Sequence, residues 1–333
     1  LRYARALLEQ VRAERTGKRD ASVYGMLWRT LEPGLWREDF ERPLPNVVVK
    51  LQSKGKSFKT TTDEHGVYAF EHLPKGTYQT SAELPPNLQV GQTILMGPVP
   101  PFELPRGMCY ENDIDALPTG RIAGTVIGPD GKPVHVASVG LYRADQHREG
   151  EPQMQGYQGP HGPHDEEWKS FEFDRLAAGD YILVFNYSDQ VERDTPFHRT
   201  FYPRSSKVQD AQTIHLSDGQ QITNADIHVG NAAAVREITV RIAWSGREPT
   251  AWVPVSIVAQ GPGTQTWLAK PQRDPFTYTL ALWQGVRYSI QATTPCRTAG
   301  SREAKTNTVA ADGGDSSISE IILTFDKEWC SDR

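Results

Sequence analysis

Tyr68-Ala69-Phe70-Glu71-His72-Leu73-Pro74-Lys75-Gly76-Thr77-Tyr78 returns further along the chain as Phe171-Glu172-Phe173-Asp174-Arg175-Leu176-Ala177-Ala178-Gly179-Asp180-Tyr181. Both copies follow one pattern, aromatic-x-aromatic-x-x-Leu-x-x-Gly-x-Tyr. Alternation of apolar and polar residues is the mark of a half-buried strand, and the glycine marks a turn between two such strands. A looser third copy, Tyr278-Thr279-Leu280-Ala281-Leu282-Trp283-Gln284-Gly285-Val286-Arg287-Tyr288, carries one extra residue between glycine and tyrosine. Tyr181 follows Tyr78 by 103 positions and Tyr288 follows Tyr181 by 107. A period of that length suits a sandwich module of about seven strands.

The segments around the repeat keep the same rhythm. Val23-Tyr24-Gly25-Met26-Leu27, Ile122-Ala123-Gly124-Thr125-Val126 and Ile238-Thr239-Val240-Arg241-Ile242 each read as a first strand. Pro45–Leu51, Pro133–Tyr142 and Val253–Val258 read as second strands. Between the first two strands of the middle block stands Gly128-Pro129-Asp130-Gly131-Lys132-Pro133, a strong turn signal. Ahead of the first repeat, Asp63-Glu64-His65-Gly66 gives an Asx turn whose glycine supplies the left-handed residue. The chain therefore reads as all-β, with three immunoglobulin-like or transthyretin-like sandwiches in a row over residues 21–118, 119–230 and 231–333.

Residues 1–20 are different. Ala4, Leu7, Leu8 and Val11 fall at helical spacing, Arg2, Arg5, Glu9, Arg12, Glu14 and Arg15 occupy the other faces, and Gly17 ends the pattern. This is a short amphipathic helix. Its apolar stripe is narrow and lacks Trp and Phe, so it suits docking on a neighbouring domain better than lying on a membrane. The opening Leu1 in place of Met suggests that a signal peptide lies upstream.

Composition excludes several classes. The chain has 333 residues, of which 38% are hydrophobic, enough for two or three cores. Its 36 basic and 41 acidic residues leave a net charge of −5 spread in both signs, so no basic field exists for nucleic acid. No stretch approaches the roughly 18 apolar residues of a membrane span. Gly-x-Ser-x-Gly, His-Glu-x-x-His and P-loop motifs are absent, so no catalytic residue is assigned.

Candidate sites are few. Cys109, Cys296 and Cys330 lack the spacing of a zinc or dithiol site. Cys296 and Cys330 follow two strands of the last block, where a disulfide would close a loop in an oxidising compartment; the alternative is two partly buried thiols. Cys109 has no obvious mate. His161-Gly162-Pro163-His164-Asp165-Glu166-Glu167 gathers two imidazoles and three carboxylates, but in a Gly/Pro-rich loop that reads as a solvated hairpin insertion rather than a metal centre. Asp63 and Glu64 supply too few oxygens for calcium. Trp28, Trp36, Tyr157, Trp168, Trp252 and Trp267 fall in or beside loops and strand ends. Most aromatics of that kind serve cores, with Trp36 and Trp168 the candidates for stacking on a glycan. Thr195–Pro203 reads as a structured connection.

Gly124-Thr125-Val126-x-x-Pro129-Asp130-Gly131-Lys132-Pro133-Val134, Thr62-Asp63-x-x-Gly66-x-Tyr68-x-Phe70 and Leu73-Pro74-x-Gly76-x-Tyr78 resemble the carboxypeptidase regulatory-like modules. These share the transthyretin-like sandwich and occur in tandem in secreted bacterial proteins. The resemblance covers the first two blocks; the third keeps the strand rhythm and the Gly285/Tyr288 corner alone. The order helix, module, Cys109-Tyr110-x-x-Asp113, then Gly120–Gly124 is also similar to the C-terminal part of bacterial envelope proteins with a netrin-like domain upstream. The resemblance implies an extracellular, periplasmic or cell-surface location, no cofactor, and a non-catalytic structural or protein-binding role, with a protein partner or larger envelope assembly. Two alternatives stay open: glycan-binding modules, and the accessory region of an enzyme whose catalytic domain lies upstream.

Overall fold

The computed structural model describes residues 21–30, 41–91, 100–135, 138–144, 154–158, 169–187, 189, 196–246, 254–261, 264–266, 270–271, 276–295, 303–312 and 319–325. Apart from one 3-10 turn at Val208–Asp210, every regular element among them is a β-strand, and the strands form six sheets. The chain divides into two compact units. One comprises Leu1–Ile122, Glu172–Asp180 and His215–Thr223; the other comprises Ala123–Phe171, Tyr181–Ile214 and Asn224–Arg333. The amphipathic segment 1–20 lies outside the described residues.

The repeat read from the sequence is a sheet-to-sheet corner. Val67–Leu73 pairs antiparallel with the first strand, Ala21–Thr30, whereas Gly76–Ala82 lies in a different sheet beside Val48–Ser53. The second copy does the same: Ser170–Leu176 pairs with Gly120–Ile127, and Gly179–Phe185 pairs antiparallel with Val139–Arg143. In the third, Thr277–Trp283 pairs with Val235–Trp244, and Arg287–Pro295 with Ser256–Gly261. Tyr78, Tyr181 and Tyr288 thus occupy equivalent strands.

Crossing between sheets within a few residues requires a left-handed residue. His72 and Arg175, the same position of the repeat, adopt φ of 55° and 58°, and Gly285 adopts 81° in the longer third corner. The tyrosine that follows is then carried inward, and Tyr78, Tyr181 and Tyr288 are 1%, 2% and 2% exposed.

A second regularity was not read from the sequence. Each first strand also pairs in parallel with a late strand of its own block: Ala21–Thr30 with Cys109–Glu111 and Ile114–Pro118, Gly120–Ile127 with Gln221–Ile222 and Ile227–His228, Val235–Trp244 with Glu320–Phe325. These partners are too short, or too far along the chain, for periodicity to reveal.

The cores lie between sheets. In the first unit Ala21, Val23 and Leu27 of one sheet meet Val49, Leu51, Tyr78 and Leu104 of the other. In the second unit Ile238, Val240, Leu280 and Leu323 meet Ile257, Ala259, Ile290 and Ala292. Burying each large aliphatic side chain contributes about 1.5–3 kcal/mol, so the alternation in these strands is what sets their register.

Candidate functional site

Several polar side chains beside the described strands hold backbone. Gly25 lies within the first strand, where an added Cβ would come 2.0 Å from the Asn112 carbonyl oxygen and 3.0 Å from the Tyr68 ring. This close approach lets the Asp113 carboxylate accept the Met26 N–H at 2.8 Å, while Asn112 N–H donates to the Tyr24 carbonyl at 2.8 Å. The arrangement recurs in the second unit. A Cβ on Gly124 would come 2.4 Å from the Ala225 carbonyl oxygen and 2.9 Å from the Phe171 ring, Asp226 accepts the Thr125 N–H at 2.9 Å, and Ala225 N–H donates to Ala123 at 3.1 Å. Sequence reading missed this clasp, although mid-strand glycines and a shared Asp-Ile at 113–114 and 226–227 were its signal.

In the first copy Tyr68 adds a hydroxyl that donates to the Asn112 carbonyl and lies 3.1 Å from Asn112 Oδ1. Burial pushes the Tyr68 phenol well above the ordinary tyrosine range, and the negative charge of Asp113 adds to the shift. A group in this state stays a neutral donor.

Asp63 proves to be turn chemistry. Its Oδ1 accepts the N–H groups of His65 and Val67, each at 2.9 Å, and Gly66 follows with φ of 73°. Beside it, the buried Thr62 accepts Val47 N–H at 2.9 Å and donates to the Leu44 carbonyl at 2.7 Å. The Gly128–Pro133 turn also forms as read, with Gly128 N–H donating to Lys132 at 2.8 Å and Asp130 accepting Lys132 N–H at 3.1 Å.

Two further polar groups sit where one sequence block passes into the next. Within the first unit Asp218 accepts Arg29 at 2.8 Å and the Asn87 amide at 2.5 Å, while Gln221 donates to the Thr119 carbonyl at 2.5 Å. Within the second unit the buried Trp283 donates its indole N–H to the Asp189 carbonyl at 2.9 Å. The Asp189 carboxylate accepts Arg199 N–H at 2.7 Å and lies 3.2 Å from His198 Nδ1, and the His198 ring packs 4.3 Å from Trp283. The Thr195–Pro203 connection is therefore structured where it is described, and it joins blocks rather than forming a separate site.

Of the other candidates, Trp36, Trp168, Trp252, Trp267, Cys296, Cys330 and the His161/His164 loop lie outside the described residues, as does the Tyr157 side chain. Trp28 is half-buried against Tyr24 and Met26. Cys109 is a free, half-buried thiol whose sulfur accepts the Ser22 hydroxyl at 3.1 Å. Among the described residues no three His, Cys, Asp or Glu side chains gather as a metal site, and no helix is long and apolar enough to cross a membrane. A groove of about 390 Å³ beside the Ser53–Ser57 hairpin is lined by Gln52, Lys54, Lys56, Thr77, Gln79 and Pro101.

No protein-family model matches the chain, and no curated protein matches its sequence. Among solved structures it is similar to the Bacillus anthracis TIE protein at 12% identity and a TM-score of 0.29, covering 92% of this chain and 49% of that one, about half its length. It is also similar to a Streptococcal ancillary pilin, at 11% identity and a TM-score of 0.28 over 92% and 99% of the two chains. GBS52, the minor pilin of Streptococcus agalactiae, matches at 13% identity and a TM-score of 0.25 over 65% and 98%. Likenesses of this size carry no argument about what the chain does.

Proposed function

We propose that the chain is a non-catalytic structural or protein-binding part of an extracellular or cell-envelope protein, built from three sandwich modules at 21–118, 119–230 and 231–333. The observation that carries this reading is where five of its aspartates go. Asp63, Asp113, Asp189 and Asp226 accept backbone N–H groups, and Asp218 is held by Arg29 and Asn87. Such groups fix strand ends and connections, which is what a spacer or display frame needs. The three-module division is supported by the corner that recurs in the same pair of strands, and the carboxypeptidase regulatory-like resemblance by the quoted turn motifs. The compartment is supported by that resemblance and by the places of Cys296 and Cys330 after strands of the last block, where a disulfide would fit an oxidising compartment.

The test is purification of the full-length protein from its native source, with its oligomeric state and retained partners determined. The expected result is a stable complex with another protein of the envelope. A lone monomer that binds a polysaccharide, with binding abolished by Trp36→Ala or Trp168→Ala, would replace this reading with the glycan one.

A further inference from the structure

In the first unit, the sheet holding Val48–Ser53 has an outer face unlike its counterpart in the middle block. Alternation along Val48–Ser53, Lys56–Thr61 and Gly76–Ala82 sends Leu51, Tyr78 and Thr80 inward and Lys50, Gln52, Ser57, Gln79 and Ser81 outward. Ser57, Gln52 and Gln79 stand in one row across the three strands, and Lys59, Lys50 and Ser81 stand in the next. The matching positions of the middle block, Tyr142 opposite Ile182 and Gly140 opposite Val184, form an apolar face packed by Phe201, Val208 and Ala211. Those of the first unit carry amides, hydroxyls and lysines, and Gln52, Ser57 and Lys59 are exposed. The groove of about 390 Å³ lies at the end of this face, where the Lys54-Gly55 turn stands beside Thr77, Gln79 and Pro101. Its charge is one-sided. Lys54 and Lys56 line it, both are exposed, and no carboxylate among the described residues pairs with either. The acids around it are engaged elsewhere: Glu103 accepts the Thr77 hydroxyl, and Glu83 pairs with Lys50 and Lys59.

We propose that this groove binds an anionic polysaccharide, a polymer whose repeating units carry carboxylate or phosphate among ring hydroxyls. Charge selects the sign of the ligand. The ammonium groups of Lys54 and Lys56 favour an anion, and as point charges they serve carboxylate and phosphate alike. The lining selects the sugar: the Gln52 and Gln79 amides and the Ser53, Ser57 and Thr77 hydroxyls each donate and accept hydrogen bonds, as ring hydroxyls do. An acidic peptide would instead need apolar pockets for anchoring side chains, and the groove offers only Pro101 and the Tyr78 ring. Its volume, near the lower end of the roughly 300–1,000 Å³ of small-ligand sites, suits a short stretch of such a polymer. The inference goes beyond the proposed function and does not depend on it, since a structural frame can carry the groove and the failure of either leaves the other standing.

Titration calorimetry of the full chain with hexagalacturonate, pentamannose phosphate, neutral cellohexaose and hexaglutamate tests this. One of the two anionic sugars should bind, identifying the anion as carboxylate or phosphate, with cellohexaose and hexaglutamate at least about tenfold weaker. Lys54→Asn/Lys56→Gln should weaken the bound sugar by roughly tenfold or more; asparagine tolerates the φ of 43° at position 54, so the hairpin is kept. Gln52→Ala leaves the charge unchanged and should weaken binding by about threefold, which a surface read by charge alone would not show. Lys132→Ala/Lys207→Ala removes the same charge from exposed positions of the middle block and should leave the affinity within about twofold. Failure of both anionic sugars to bind, equal binding of hexaglutamate, or unchanged affinity in either groove variant would overturn the assignment.

Discussion

Asp113 accepts the backbone N–H of Met26 at 2.8 Å across 87 positions of sequence, and the same bond joins Asp226 to Thr125 at 2.9 Å across 101. Each bond closes the parallel pairing of a first strand with the late strand of its block, at a point where a glycine lets the two backbones approach.

Removing this acceptor should be felt throughout the sandwich. Asp113→Ala leaves the Met26 N–H without its acceptor and should destabilise the first unit by about 1–3 kcal/mol, read as a lowered urea midpoint. Asp113→Asn keeps an acceptor oxygen and should lose less. Gly25→Ala should be worse than either, because backbone of Asn112 stands where the new methyl must go.

The corner makes an opposite kind of prediction. His72 holds φ of 55° on an exposed side chain, so His72→Gly should be neutral or stabilising by up to about 1 kcal/mol. His72→Val should destabilise by about 1–3 kcal/mol, since a β-branched residue is strained there. Equal losses in both variants would show that the side chain, rather than the backbone angle, matters.

Alkaline pH should weaken the first unit through Tyr68. Its phenol is raised above its unfolded value of about 10, so the associated stability is complete below that pH. Above it the unfolded chain loses a proton that the folded chain keeps, and stability falls as pH rises. Tyr142 acts in the same direction in the second unit, raised chiefly by burial and further by Tyr187, with Arg199 opposing. Urea midpoints between about pH 9 and pH 11 should decline less steeply for Tyr68→Phe than for the wild type.

At the second connection, Trp283→Phe keeps most of the ring and loses the N–H to Asp189, an expected change of about 1 kcal/mol. Trp283→Ala also empties a buried site and should cost about 3–5 kcal/mol. Calorimetry separates the two: the phenylalanine variant should retain the transition with a modest shift, and a phenylalanine variant as damaged as the alanine one would contradict the assignment.

What the sequence showed and what it hid have physical reasons. The aromatic-x-aromatic and Gly-x-Tyr strands were legible because alternation and turn residues are local, and the three first strands appear where they were read, lengthened by a few residues. Short strands such as Glu41–Pro43 and Phe102–Leu104 are held by neighbours rather than by their own pattern, so nothing in their residues announces them. The Gly25–Asp113 clasp joins residues far apart in the chain. Asp63 shows the converse: its turn role was legible because both amides it binds lie within four positions.

One corner is built three times among the described strands, and native-state hydrogen exchange followed by mass spectrometry on the intact chain tests the proposal that each copy belongs to its own sandwich. The expected result is three cooperative blocks of protected amides, at 21–118, 119–230 and 231–333, each losing protection at its own denaturant concentration. Residues 120–127 should exchange together with 170–185. Exchange of 170–176 or 215–223 in step with the strands of the first block, while 179–185 follows another, would contradict it.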